Sequence, residues 1–98
     1  MKVTITDEGL NITKRFFLAL DTLQIKKEIR GVKSFTDRYG LNYWNFSTIR
    51  KEPEKRIIKT EWLAYLVSDY NVSAEWLLLG TGSMFKDAPL FQSETSLP

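Results

Sequence analysis

The stretch from Ser34 to Lys51 constrains the fold most, because a helix stop and a helix start lie two residues apart within it. Gly40 can adopt the left-handed backbone conformation that ends a helix. Asn42 is a favourable N-cap, since its side-chain oxygen can accept a hydrogen bond from a free backbone N–H of the next helix. We therefore predict two short helices joined by a tight turn at Gly40-Leu41-Asn42.

Apolar side chains give both predicted helices an inward face. Phe35 and Tyr39 lie four residues apart, so they share one side of the first helix. Phe46 and Ile49 lie three residues apart and define the inward side of the second helix, which we predict from about Tyr43 to Lys51. On a helical wheel its opposite side carries Trp44, Ser47, Thr48 and Lys51, and its flanks carry Tyr43, Asn45 and Arg50.

A longer helix is predicted before this pair, from about Ile12 to Ile29, with either Asn11 or Thr13 as its cap. The start of the next helix stays open between Val32 and Phe35. A capping box from Ser34 favours the later start, whereas a start at Val32 gives a more usual length. The inward stripe of the long helix consists of Ile12, Phe16, Ala19, Leu20 and Leu23.

Two more helices are predicted towards the C-terminus. Thr60 can cap a fourth helix, and Ser73 can cap a short fifth helix from Ala74 to Leu79 that Gly80 ends. The positions expected in the core are Leu63, Leu66, Val67, Tyr70, Trp76, Leu77 and Leu78. Ile57 and Ile58 are expected to pack back under the core. Trp76, Leu78 and Phe85 are alternatively candidates for a self-association patch.

The fold class that follows is all-α, a small five-helix bundle. The chain has 98 residues, enough for one small domain, and 43% of them are hydrophobic, enough for a core. We assign residues 12–85 to one helical domain, residues 1–11 to an N-terminal arm and residues 86–98 to a flexible tail.

The composition excludes several kinds of chemistry. The chain contains no Cys and no His, so thiolate or imidazole metal sites, disulfides and histidine-dependent triads are ruled out. No apolar run approaches the roughly 20 residues that span a bilayer, and no signal peptide is recognisable. We expect a cytoplasmic protein that is not an enzyme, with no cofactor, no membrane association and no small-molecule substrate.

Charge is distributed unevenly along the chain. Residues 13–60 contain 12 basic and five acidic residues, a net charge of +7, whereas residues 61–98 contain one basic and five acidic residues, a net charge of −4. Such asymmetry favours one half that faces a polyanion and another that faces elsewhere. A solvated surface that is merely lopsided is the plainer interpretation.

The order of these elements resembles the lambda repressor-like helix-turn-helix DNA-binding domains, which include phage CI-type repressors and Xre-like regulators. The resemblance covers about residues 12–80. Tyr39-Gly40-Leu41-Asn42 matches the family's turn, and Phe46 and Ile49 match the apolar positions of its recognition helix. The segment 72–80, VSAEWLLLG, followed by TGSMF, is similar to the end of that domain and is the most specific match.

Three positions depart from the family's pattern. Val32 or Lys33 stands where a phosphate-binding Gln usually begins the second helix, and Thr36 replaces a small Ala. The recognition helix opens with Tyr43 and Trp44, where polar residues are usual in the family.

The resemblance implies a sequence-specific double-stranded DNA-binding transcriptional regulator, repressor-like and acting as a homodimer, with the third helix in the major groove. The residues expected to contact bases are Tyr43, Trp44, Ser47, Thr48 and Lys51. The residues expected to contact DNA phosphates are Lys33, Arg38, Arg50, Lys55 and Arg56.

A protein–protein interaction module that keeps the same fold is the competing hypothesis. In that case Tyr43 and Trp44 would be aromatic anchors for a partner. Trp44 could also be packed against a neighbouring helix or subunit, and Tyr43 against Phe35.

Overall fold

The computed structural model describes residues 5–86, and this part of the chain is helical, with five helices and no strand. The helices are α1 (Asp7–Ile25), α2 (Val32–Tyr39), α3 (Tyr43–Lys51), α4 (Thr60–Asp69) and α5 (Ala74–Leu79). The predicted all-α class is confirmed. The chain divides into two compact units, unit 1 (Met1–Lys59) and unit 2 (Thr60–Pro98).

α1 begins five residues earlier than predicted. Thr6 is its N-cap, and the backbone N–H of Gly9 donates to Thr6 Oγ1 at 3.0 Å. The predicted start at Ile12 was therefore wrong, as was the assignment of residues 7–11 to an arm. Neither predicted cap serves as one, since Thr13 is a buried helical residue whose hydroxyl donates to the carbonyl of Gly9 at 3.1 Å.

α1 also ends earlier, at Ile25 rather than Ile29. The backbone turns at Lys27, which adopts a left-handed φ of 66°. The N–H of Glu28 then donates to the carbonyl of Leu23 at 2.9 Å, which closes the end of the helix. Ile29 lies outside the helix and is still buried, so tertiary packing supports a left-handed lysine that local preference disfavours.

Four phenylalanines form the centre of unit 1. Phe16, Phe35 and Phe46 come from α1, α2 and α3 and have no solvent exposure, and Phe17 lies against two of them. The ring centroids of the first three are 5.7 to 6.2 Å apart. Each aromatic pair contributes about 0.5–1.5 kcal/mol beyond its buried area. This cluster fixes which side of α3 faces inward.

α2 begins at Val32, the earlier of the two starts that the sequence left open. Gly31 precedes it, and its N–H donates to Ser34 Oγ at 3.3 Å. Ser34 therefore lies in the first turn and is not the helix cap that the capping-box interpretation required.

The connection between α2 and α3 has the predicted geometry. Gly40 adopts a left-handed φ of 66°, and the N–H of Leu41 donates back to the carbonyl of Thr36 at 2.8 Å. Asn42 caps α3, since its Oδ1 accepts from the N–H of Asn45 at 2.8 Å. Because both ends of the turn are satisfied locally, the bounds of α3 agree with those predicted.

α4 differs from its prediction in its cap and in its buried face. Thr60 is the first helical residue rather than the cap. Trp62, Leu66 and Tyr70 are buried, whereas Leu63 and Val67 are half-buried. The predicted stripe was therefore partly wrong, because it included Leu63 and Val67 and omitted Trp62. The half-buried side lines an open apolar groove with Thr60, Ala64, Ala74, Leu77 and Leu78.

α5 has the predicted bounds. Ser73 Oγ accepts from the N–H of Trp76 at 3.2 Å, and Gly80 ends the helix with a left-handed φ of 78°. Leu77 is fully buried, but Leu78 is 46% exposed, so the expected burial of Leu78 was wrong. In unit 1 the exposed Ile57 likewise contradicts the expectation that it tucks under the core.

Backbone hydrogen bonds tie both ends of α5 together. Val72 and Phe85 form an antiparallel bridge. The N–H of Ser73 donates to the carbonyl of Met84 at 2.8 Å, and the N–H of Lys86 donates to the carbonyl of Asn71 at 2.9 Å. Residues 71–86 therefore form a closed loop around a six-residue helix, which is too short to be stable alone. Of the predicted tail, residues 87–98 lie outside the described residues.

Candidate nucleic-acid interface

The outer side of α3 combines aromatic, hydroxyl and basic side chains. Trp44 is 77% exposed and Lys51 is exposed, while Ser47 and Thr48 are half-buried. Ile49, on the inner side, is buried. The helix thus presents side chains of the predicted base-contacting set to solvent along about two turns.

Tyr43 and Trp44 form an edge-to-face pair at the start of α3, with ring centroids 5.4 Å apart. Tyr43 is half-buried, and Lys33 Nζ lies 5.9 Å from the centre of its ring. Lys33 in turn pairs with Asp37 at 3.2 Å. No helix within residues 5–86 covers Trp44, so the interpretation that it packs against a neighbouring helix was wrong. Its indole is exposed, and the neighbouring Tyr43 ring is in contact with Lys33 of α2.

Thr48 has a hydrogen-bond arrangement that the sequence did not indicate. Its hydroxyl donates to the carbonyl of Trp44, one turn earlier, at 2.8 Å. A hydroxyl has one donor and two acceptor positions. In this rotamer Thr48 can therefore accept hydrogen bonds from a ligand but has no hydroxyl hydrogen to donate.

The predicted phosphate contacts are scattered over α2, α3 and the following connection, and most of them already have a partner. Lys33 pairs with Asp37, Arg50 with Asp21 and Lys55 with Glu52, and the Arg38 guanidinium lies 5.2 Å from the Tyr39 ring centre. Lys33 and Lys55 are 70% and 65% exposed, and exposed ion pairs contribute little. Both can exchange a carboxylate for a phosphate at small cost.

Lys51 and Arg56 differ from these cations. Within residues 5–86 neither has a carboxylate within ion-pair distance, and both are exposed. They are the members of the predicted set whose charge is not offset by a neighbour.

The Arg50–Asp21 pair was missed by sequence reasoning. Arg50 Nη2 lies 2.5 Å from Asp21 Oδ1, which links the end of α3 to the C-terminal part of α1. The two residues are 29 positions apart, and no local pattern connects them. Arg50 is therefore bound within the fold, where the sequence predicted a free phosphate contact.

Asn45 is a second residue that sequence reasoning undervalued. It is exposed in the first turn of α3 and borders a shallow surface groove with Lys55 and Arg56. An asparagine side chain can pair with the N6 and N7 atoms of adenine. The signal for this role in the sequence was a polar side chain at a position that flanks the outward face of α3.

The two units carry opposite charge over the described residues. Residues 5–59 contain 12 basic and seven acidic residues, and residues 60–86 contain one basic and three acidic residues. The residues predicted to contact DNA all belong to the basic unit.

Among residues 5–86 there is no group of acidic residues that could hold a metal ion. None of the helices in that range has the length and apolarity needed to cross a bilayer. Comparison of the chain with known protein families, with curated proteins and with solved structures finds no match.

Proposed function

We propose that this protein is a sequence-specific double-stranded DNA-binding domain that acts as a repressor-like transcriptional regulator. In this proposal α2, the Gly40 turn and α3 act as a helix-turn-helix, and α3 enters the major groove. The observation that carries it is the exposed outer face of α3, which combines Trp44, Thr48 and Lys51 on a basic unit. A helix of this width fits the major groove of B-form DNA.

The contacts divide into two kinds. Side chains on the outer face of α3 contact base edges, with Asn45 added to the predicted set. Lys33, Lys55 and Arg56 contact phosphates and fix the orientation of the domain on the duplex. Lys51, at the end of α3, can reach either a guanine or a phosphate.

We also propose that the protein binds as a homodimer, because one nine-residue helix contacts too few base pairs for a specific site. Exposed apolar surface on unit 2 supports this proposal, because a second copy could cover it. Leu78 and Leu79 are 46% and 70% exposed there. A two-fold dimer would present two copies of α3 about 34 Å apart, one turn of DNA.

Selection of bound duplexes from a random pool, followed by sequencing, tests the function. A related set of sites should emerge, and binding to them should weaken as salt rises. If about five phosphates are neutralised, the slope of log K against log salt should be about −4 to −5. Failure to bind any duplex at low salt would overturn the proposal.

Exposed Trp44 also supports a second candidate, a protein-interaction module. A 77% exposed indole beside Tyr43 has the composition of an interface anchor. Two results together would favour this candidate over DNA binding. The selection would enrich no duplex, and binding to a partner protein would depend on Trp44 but not on salt concentration.

A further inference from the structure

Trp44 differs from the other large apolar side chains that the structure leaves in solvent. Within residues 5–86 it is the one aromatic among them, and the others are aliphatic. An aromatic side chain can bury 150–250 Å² in a contact, and most of the indole is uncovered here. A ligand that covers it would gain a large apolar contact.

The indole is also restrained before any ligand arrives. Its neighbour Tyr43 meets it edge-on, with a 77° angle between the rings. Tyr43 is itself half-buried, and Lys33 Nζ lies 5.9 Å from the centre of its ring. Holding Trp44 in place during binding therefore costs less conformational entropy than it would for an indole with no neighbouring ring.

The chemistry of the indole limits what it can recognise in a major groove. It offers a carbon surface and a single N–H donor, and it has no acceptor. The edges of guanine, adenine and cytosine present acceptors and donors there, whereas thymine also presents a 5-methyl group. That methyl is the apolar group of the unmodified major groove and matches the exposed carbon surface.

Thr48 reinforces this match. It lies one turn beyond Trp44 on the same side of α3, and its hydroxyl hydrogen is used by the Trp44 carbonyl. Thr48 therefore offers an acceptor and no hydroxyl donor, which suits the N6 amino group of the adenine that pairs with such a thymine.

We propose that Trp44 recognises the 5-methyl group of a thymine in the bound duplex and so determines specificity at that position. The inference rests on the DNA-binding function proposed above and adds the chemical group that the first turn of α3 recognises.

Replacing thymine with uracil tests this inference, because uracil pairs identically and lacks only the methyl group. Each thymine of the selected duplex is replaced singly by deoxyuridine, and affinity is measured by competition. At one or two positions the parent protein should lose about fourfold in affinity, the contribution expected from burying one methyl group. Other positions should show no loss.

The Trp44→Ala variant identifies the side chain responsible. It should bind the thymine duplex more weakly than the parent, and the uracil replacement should weaken it no further. Its melting temperature should match that of the parent, since Trp44 is 77% exposed. The matched control Ile25→Ala truncates a 79% exposed apolar side chain and should retain the parent's sensitivity to uracil.

The outcomes separate this inference from the function on which it rests. If no duplex is selected, the DNA-binding proposal fails and the inference fails with it. If a duplex is selected but the parent binds every uracil duplex equally well, only the inference is overturned. The same holds if Trp44→Ala keeps the full uracil penalty.

Discussion

Substituting Asp21 with Asn should strengthen DNA binding, although Asp21 is not a predicted DNA contact. Its carboxylate pairs with Arg50 at the end of α3, at 2.5 Å. Asparagine keeps the shape of the side chain and removes its charge, which frees the guanidinium for a phosphate. The substitution therefore tests whether Arg50 lies close enough to the DNA backbone to use that freedom.

The magnitude follows from counterion release. One additional phosphate contact changes the slope of log K against log salt by about −0.9. At about 0.1 M salt this corresponds to roughly eightfold tighter binding to any duplex. The side chains of Arg50 and Asp21 are 37% and 44% exposed, so we limit the stability of the pair to about 0.2–1 kcal/mol. The melting temperature should fall by no more than about 8 °C.

The assay is a salt titration of binding to the selected duplex and to an unrelated one. Glu8→Gln is the matched control, because it makes the same charge change on α1 about 20 Å from Asp21 along the helix axis. Equal slopes for Asp21→Asn and Glu8→Gln would refute the argument, since the gain would then reflect net charge alone. A loss of specific but not nonspecific affinity would instead identify the ion pair as a device that orients α3.

Three further predictions concern the ends of α3 and the apolar surface of unit 2. Asn42→Ala should lower stability by about 1 kcal/mol in thermal unfolding, because the N–H of Asn45 loses its acceptor, and Asn42→Asp should retain most of it. Lys51→Gln should weaken binding to all duplexes similarly and reduce the salt slope by about 0.9; a loss confined to one sequence would point to a base contact. Leu78→Glu should shift the protein from dimer to monomer in analytical ultracentrifugation, and a parent protein that is monomeric both alone and on DNA would contradict the dimer.

The parts of the fold that were predicted correctly have signals close together in the sequence. α3 lies between Gly40, which adopts a left-handed φ without a side-chain clash, and Pro53, which disfavours helical geometry in the residue before it. α5 likewise has its cap and its stop within eight residues, at Ser73 and Gly80. Such elements need no tertiary information to define their bounds.

The errors come from tertiary packing. Nothing in the sequence marks Lys27 as the left-handed end of α1, because a glycine four residues later gives a stronger local signal. Packing around buried Ile29 decides the outcome. In α4 the i, i+3, i+4, i+7 spacing from Leu63 gave the clearer periodic signal, but the folded structure buries Trp62 and leaves Leu63 half-buried.

The candidate site divides in the same way. The outward direction of Trp44 and Lys51 follows from the two apolar positions of α3, so the sequence was sufficient for it. The ion-pair partner of Arg50, Asp21, lies on another helix. The rotamer of Thr48 depends on a hydrogen bond to a backbone carbonyl of α3 itself. Neither contact leaves a periodic trace, although both alter what those side chains can offer to a ligand.

The closed loop around α5 has a practical consequence for experiments that attach something to this protein. The backbone N–H of Lys86 is bonded to the carbonyl of Asn71, and the preceding two residues are joined to Val72 and Ser73. Cutting or replacing the chain before residue 86 would open that loop and release the short helix that carries buried Leu77. A fluorophore or fused protein on the C-terminal side therefore has to be joined beyond Lys86 if unit 2 is to stay folded.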